Sequence, residues 1–277
     1  MGSTEQRTGL VPALLKQWRS RRGLSQLDLA LAADVSARHI SFLETGRSLP
    51  SPEMVLLLGS TLGVPLSQVN AMLVAAGHDP AFDESDDAVP EQIAQAIELL
   101  KAHHEPFPLV VVDGAYDVVD VNQGAATVIS AVLGLPPGPP PTAELVADLG
   151  LNLARLTFDP AGAQPYLANF DEVGRQVLWR IQREVLADPG NRELGALLDE
   201  LLDMPTVSQQ WREADLSVPS EPALVLHLSR DDLELRFLTT VTAFQAPQNV
   251  EVERLRIEHW FPYDDATATA CRQLGAH

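Results

Sequence analysis

The sequence predicts two folded units of different class. An all-α unit of five short helices is expected over residues 1–78, and an α+β unit with an antiparallel sheet over 106–277. Residues 79–105 join them as a linker and connecting helix. Three observations carry this division. Helix-start signals recur through the first eighty residues, and β-rich runs appear at 109–121 and again at 223–260. The net charge of −19 is also unevenly spread: seven Lys/Arg against six Asp/Glu in residues 1–80 give +1, and twelve against thirty-two in the rest give −20. A chain of 277 residues, at about 100–200 residues per domain, fits two domains.

The helical signals run in order. Pro12 suits a first helical position, with Leu14, Leu15 and Trp18 at helical spacing behind it. Ser25 and Asp28 resemble a capping box, Ser36 caps a third helix, and Ser51, Pro52 and Glu53 open a fourth. A fifth is expected from Leu66 to Ala76, stopping at Gly77. The acidic stretch 78–88 reads as linker. A connecting helix then starts near Pro90, with Val89, Ile93, Ile97, Leu100 and His104 on one stripe.

The pattern changes beyond Pro108. Leu109–Asp113 and Tyr116–Val121 flank Gly114 and Ala115 as a hairpin, and the proline-rich stretch 134–141 is an extended loop. Helices are expected over 142–156, 170–187 and 191–203. Strands are expected over Ala223–Leu228, Leu233–Phe244 and Val250–Trp260.

Gln26 to Glu44 carry a helix-turn-helix pattern. Ala30 is small where two helices approach, Val35 sits in the turn, and Ile40 and Leu43 lie on the buried face of the second helix. That arrangement offers the start of the second helix to a major groove about 12 Å wide. Arg38 can bond guanine bidentately, Ala37 can pack on a thymine methyl, and Arg47 beside Gly46 can place a charge on phosphate. His39 is either a DNA contact or a solvated helix residue. Phe42 is either a thymine-methyl contact or core.

These residues resemble Xre/Cro-type readers. Across residues 18–80 the stretches WRSRRGLSQ, VSARHISFLETGRSLPSPE and LVAAGHDP are similar to the MmyB-like transcription regulators. The resemblance implies that Gln26 clamps a phosphate or base, that Ser36, Ala37 and Arg38 face base edges, and that Arg47 and Ser48 hold phosphate. It also implies that Arg19 and Glu44 tie the first helix to the third. Asp34 departs from the pattern by standing where glycine is usual; aspartate tolerates the left-handed region better than most residues. The resemblance continues through Pro106, Phe107 and Pro108, the stretch from Asn152 to Leu156, and Asn169 with Phe170. It implies a PAS-like second domain suited to a fatty-acid-like ligand.

The residues of that half offer a candidate site. Phe170, Val173, Val177, Ile181 and Val185 share a helix face, with Arg175, Arg180 and Arg183 assigned to its other faces. Arg155 and Arg175 are the cations chosen to meet a carboxylate, although Arg155 has an internal acid as its other possible partner. Val177 and Ile181 are candidate wall residues. Asn122 is a ligand contact or a backbone cap.

Other classes find little support. There is no G-x-S-x-G, Walker or H-E-x-x-H motif, so no enzyme is expected. The lone Cys271 makes neither an internal disulfide nor a metal site by itself, and His227 and His259 have only each other to face. The first ten residues are polar and no apolar run reaches membrane length, so a cytoplasmic protein is expected. The reading is a DNA-binding regulator, dimeric on a double-stranded operator, with a small apolar carboxylate as effector and no other cofactor. The alternative is a ligand-independent regulator whose second domain dimerises or recruits a protein, with the connecting-helix stripe packed on a twin.

Overall fold

The computed structural model describes residues 10–82, 89–135, 149–188, 191–212, 223–244 and 249–275. The chain forms two compact units, Met1–Asp86 with Ala246–Glu253, and Asp87–Gln245 with Arg254–His277.

The first unit holds α1 (Leu10–Arg21), α2 (Gln26–Ala32), α3 (Ala37–Glu44), α4 (Pro52–Leu62) and α5 (Leu66–Ala75). Their starts follow from capping chemistry. The Ser25 hydroxyl accepts from the Asp28 N–H while the Asp28 carboxylate accepts from the Ser25 N–H, a complete capping box. The Ser36 and Ser51 hydroxyls cap α3 and α4 by accepting from the His39 and Met54 N–H groups, without the reciprocal bond, and Pro52 sits in the first turn of α4. Leu15, Trp18, Leu29, Ile40, Leu43, Leu58 and Leu73 close a shared core.

The second unit is a five-stranded antiparallel sheet with helices. It contains α6 (Glu91–His104), β1 (Leu109–Val112), β2 (Val118–Val121), α7 (Gln123–Leu133), α8 (Leu153–Phe158), α9 (Phe170–Ala187) and α10 (Arg192–Asp203). β3 (Leu224–Arg230), β4 (Leu233–Thr242), β5 (Arg256–Pro262) and α12 (Asp265–Leu274) follow; the short α11 (Val250–Arg254), between β4 and β5 in the chain, falls to the first unit but for its last residue. The strand order is β2-β1-β5-β4-β3. One sheet face carries α6: Ile97, with Ile93 and Leu100, packs on Leu109, Val111 and Ile257. The apolar stripe of the connecting helix is therefore used within its own unit.

The structure departs from the expected elements at three places, one of which lies partly outside the described residues. The strand predicted over Val250–Trp260 begins as the short helix α11, because Asn249 accepts from the Val252 N–H at 3.0 Å and caps a turn there. The helix expected over 142–156 is seen only as α8, capped by Asn152; residues 142–148 lie outside the described residues, as do 136–141 of the proline-rich stretch. Helix α12 was not anticipated. Asp264 caps it through the Thr267 N–H at 2.8 Å, and it buries Ala268 and Cys271.

Candidate nucleic-acid interface and ligand cavity

The reader is assembled from α2, a four-residue turn and α3. Leu29, Ala30, Ile40 and Leu43 are buried. Asp34 adopts a left-handed φ of 53°, and the Val35 N–H then reaches the Ala30 carbonyl at 2.9 Å. The turn thus takes the conformation for which glycine is usual. Glu44, at the end of α3, anchors the assembly. Its carboxylate accepts two bonds from Arg19 and one from the Gln26 amide at 2.7 Å. Arg19 also donates to the Leu24 carbonyl, at 2.7 Å. Burial alone would raise the Glu44 pKa, but the Arg19 and Gln26 hydrogen bonds and the Arg19 charge hold it below the usual carboxylate range. The expected Arg19–Glu44 tie is present.

The DNA-facing candidates divide by what already occupies them. Arg38 and Arg47 are exposed, and both guanidinium groups lie over the Phe42 ring, at 5.1 and 5.7 Å. Phe42 is half-buried and serves as a platform between two cations, a role that neither sequence reading of it included. Ser36 is exposed, but its hydroxyl accepts from the His39 N–H at 3.1 Å, so it works as a cap. Ala37 packs partly on the core, and His39 is half-buried. Gln26 gives one amide N–H to Glu44, which leaves it one donor and a carbonyl oxygen for a base or backbone. The Ser48 hydroxyl is buried without a partner among the described residues, and the Ser48 and Arg47 amides both donate to the Phe42 carbonyl. Reaching phosphate through the Ser48 side chain requires a change of rotamer.

In the second unit an apolar cavity of about 70 Å³ lies between the sheet and α7, α8 and α9. That is several times the ~10–15 Å³ that one water occupies. Val128 and Val132 of α7, Ala154 and Leu156 of α8, and Val173 and Val177 of α9 line it. Leu224, Leu226 and Leu228 of β3 form the facing wall. Its polar groups are Tyr116, Thr157, Arg180, Thr239, Glu258 and the Trp260 indole. Arg180 donates to Glu258 at 3.2 Å and lies 5.3 Å over the Tyr116 ring, whose hydroxyl donates to Glu184 at 3.0 Å. Burial pushes the Tyr116 pKa well above the ordinary tyrosine value, so the phenol stays protonated.

The sequence-chosen ligand residues fall differently. Val177 is on the cavity wall, while Ile181 is fully buried core and not part of the lining. Arg155 is held by Glu200 at 2.9 Å, with Asp117 at 3.7 Å, and does not line the cavity. This is the internal-acid alternative that its sequence context left open. Arg175 is exposed on the Trp179 ring at 5.7 Å, also outside the lining. Asn122 is 2% exposed and holds backbone: it accepts from Leu109 and Ala125 and donates to the Phe107 carbonyl. Arg180 is the lining cation instead. His227 bonds Glu234 rather than facing His259, which packs its ring on His104 at 5.1 Å. Among the described residues no group of three or more His, Cys, Asp or Glu could hold a metal ion. Among them, too, no helix is long and apolar enough to cross a membrane.

A capped helix pair offering exposed arginines, followed by a separate α+β unit built around an apolar cavity, is the build of a helix-turn-helix unit joined to a candidate ligand-binding unit. Comparison with known families agrees. A family model described as Helix-turn-helix matches residues 15–69. A second, the MmyB-like transcription regulator ligand binding domain, matches residues 93–274, well over half of the chain, and the chain belongs to that family. Over 83 residues, 30% of this chain, it is 34% identical to the HTH-type transcriptional regulator DdrOP3 of Deinococcus deserti. The match spans 60% of that relative's length.

Proposed function

We propose that the C-terminal domain is PAS-like and senses a fatty-acid-like ligand, an acyl chain with one polar head. Binding there changes how a cytoplasmic homodimer grips its operator. The observation that carries this reading is the cavity: three helices and β3 supply a nearly continuous apolar wall, with polar side chains gathered among Tyr116, Arg180, Glu258 and Trp260. Ligand sites have this composition, largely apolar with a few convergent polar groups. A second domain serving only to dimerise through α6 has less support, because Ile93, Ile97 and Leu100 pack on the sheet.

Calorimetric titration of the full chain with acyl compounds of increasing length tests the reading. Affinity should rise about fourfold per methylene, the equivalent of ~0.8 kcal/mol, until the cavity is filled, and then stop rising. Operator affinity should change by roughly 5–150-fold when ligand is saturating. Heats independent of chain length, together with an unmoved operator affinity, would remove the sensor.

The dimer is proposed from charge. One reader segment at +1 over residues 1–80 releases few counterions, so two half-sites about 34 Å apart are required for useful affinity. Sedimentation should show a dimer at micromolar concentration with operator DNA present. A monomer under that condition contradicts the proposal.

A further inference from the structure

We infer that the β4–β5 connection is a strap through which the cavity acts on the reader: Glu253 caps α5 of the helical unit, and ligand entry draws that cap away. This rests on the reading of the cavity as a ligand site and names the device that carries its signal.

The chain changes unit at one peptide bond: Glu253 belongs to the helical unit and Arg254 to the α+β unit. On the first side, α5 starts without a cap of its own, because its N-cap residue, Pro65, makes no side-chain cap bond. The Leu66 N–H is one of the orphan donors that every helix start leaves. The Glu253 carboxylate accepts from it at 2.8 Å, from 187 positions along the chain. A carboxylate is also the group that this end of a helix dipole favours. On the other side, Arg254 is fixed to the framework of the cavity. Its guanidinium meets Asp188, the residue that ends α9, at 3.5 Å. Its stem lies against Gly114 of the β1–β2 turn, where an added Cβ would stand 2.9 Å from the Arg254 Cβ. Leu255 and Ile257, which follow in the chain, pack with Ile97 of α6.

Two walls of the cavity converge on Arg254. Val173 and Val177 come from α9, and Glu258 and Trp260 from β5. The volume of about 70 Å³ holds roughly five to seven water-sized atoms at ~10–15 Å³ each, whereas even octanoate brings about ten heavy atoms. Filling the cavity therefore separates its walls, and a close-packed interior passes the displacement on. Movement of β5 or of the end of α9 reaches Glu253 through Arg254, one residue away, and pulls on the Leu66 bond. Helix α5 packs on α1, and α1 holds the end of α3 through Arg19 and Glu44. A loosened α5 thus reaches the recognition helix through contacts within the helical unit.

The test is hydrogen exchange at the Leu66 amide in the full chain, with and without a saturating fatty acid, the tightest binder by calorimetry among octanoate, dodecanoate and hexadecanoate. In the unsubstituted protein the acid should quicken exchange at Leu66 about tenfold, the factor carried by one hydrogen bond to a charged acceptor. This readout stands even if a variant misfolds. Glu253→Ala should quicken exchange by a similar factor without acid and make it indifferent to the acid. Glu253→Gln, whose carbonyl oxygen still accepts, should restore most of the protection and of the response. Linkage is reciprocal, so Glu253→Ala should also bind the acid more tightly, by up to about tenfold, and its operator affinity should no longer respond to the acid. An acid that binds but leaves Leu66 exchange unmoved overturns the strap and leaves the cavity a ligand site. A Glu253→Ala protein whose operator affinity still responds in full overturns it as well. Failure of all three acids to bind removes the ligand site itself, and the strap's signal with it.

Discussion

Replacing Arg19 with alanine is expected to cost the N-terminal unit roughly 3–5 kcal/mol, because it leaves the Glu44 carboxylate buried without its counter-charge. The Glu44 side chain is 2% exposed, and both of its oxygens are engaged by Arg19. Gln26 alone supplies one neutral donor and cannot compensate. Amide hydrogen exchange at Leu29 and Ile40, both in the core beside this pair, reads the opening free energy of the unit within the full chain. Replacing both partners, Arg19→Met with Glu44→Leu, should recover most of the loss, since no buried charge then remains. A loss below about 1 kcal/mol for Arg19→Ala would place the pair with ordinary surface bridges. The pH dependence has a definite sign. The folded pKa of Glu44 lies below its unfolded value of about 4.3. Its contribution is therefore fully present above that value and is lost as pH falls through the lower folded one.

Arg38→Ala should weaken the preferred operator by roughly 1–3 kcal/mol and relax selection at one base pair. Arg47→Ala should weaken all sequences alike and flatten the salt dependence by about one counterion. The two residues share the Phe42 ring yet reach outward from different places, the first turn of α3 and the turn beyond it. Binding-site selection, together with titrations across salt concentration, separates the roles. An unchanged selection profile for Arg38→Ala would show that it is not the base reader.

The reader was legible because its determinants are local. Ser25, Ser36 and Ser51 each act on the backbone amide three residues on, and Asp34 bends the chain at its own φ. Even the Arg19–Glu44 tie was accessible, through a resemblance dense enough to align both positions. The cavity depends on longer-range determinants, its cation above all. At about 100° per residue, Arg180 falls within about 20° of Val173 on the α9 wheel and Arg175 about 200° away. Arg180 thus shares the cavity-facing side of α9 with Val173, and Arg175 lies on the opposite side. Arg180 is also shielded by Glu258, a residue 78 positions later in the chain. No spacing rule reaches that far.

What the sequence determined by itself is what neighbouring residues settle between themselves: the helix starts of the reader, the left-handed Asp34, the long helix over 170–187, and the confinement of acidity to the second half. Only the tertiary structure decided which apolar residues became wall and which became core. Val177 and Ile181 are four apart on one face of α9, yet one lines the cavity and the other is fully buried. The same structure gave Arg155 to Glu200 and spent the connecting-helix stripe on the sheet. Burial and pairing of this kind depend on which distant surface arrives opposite a residue, and a helical period specifies the face that is presented but not the partner that meets it.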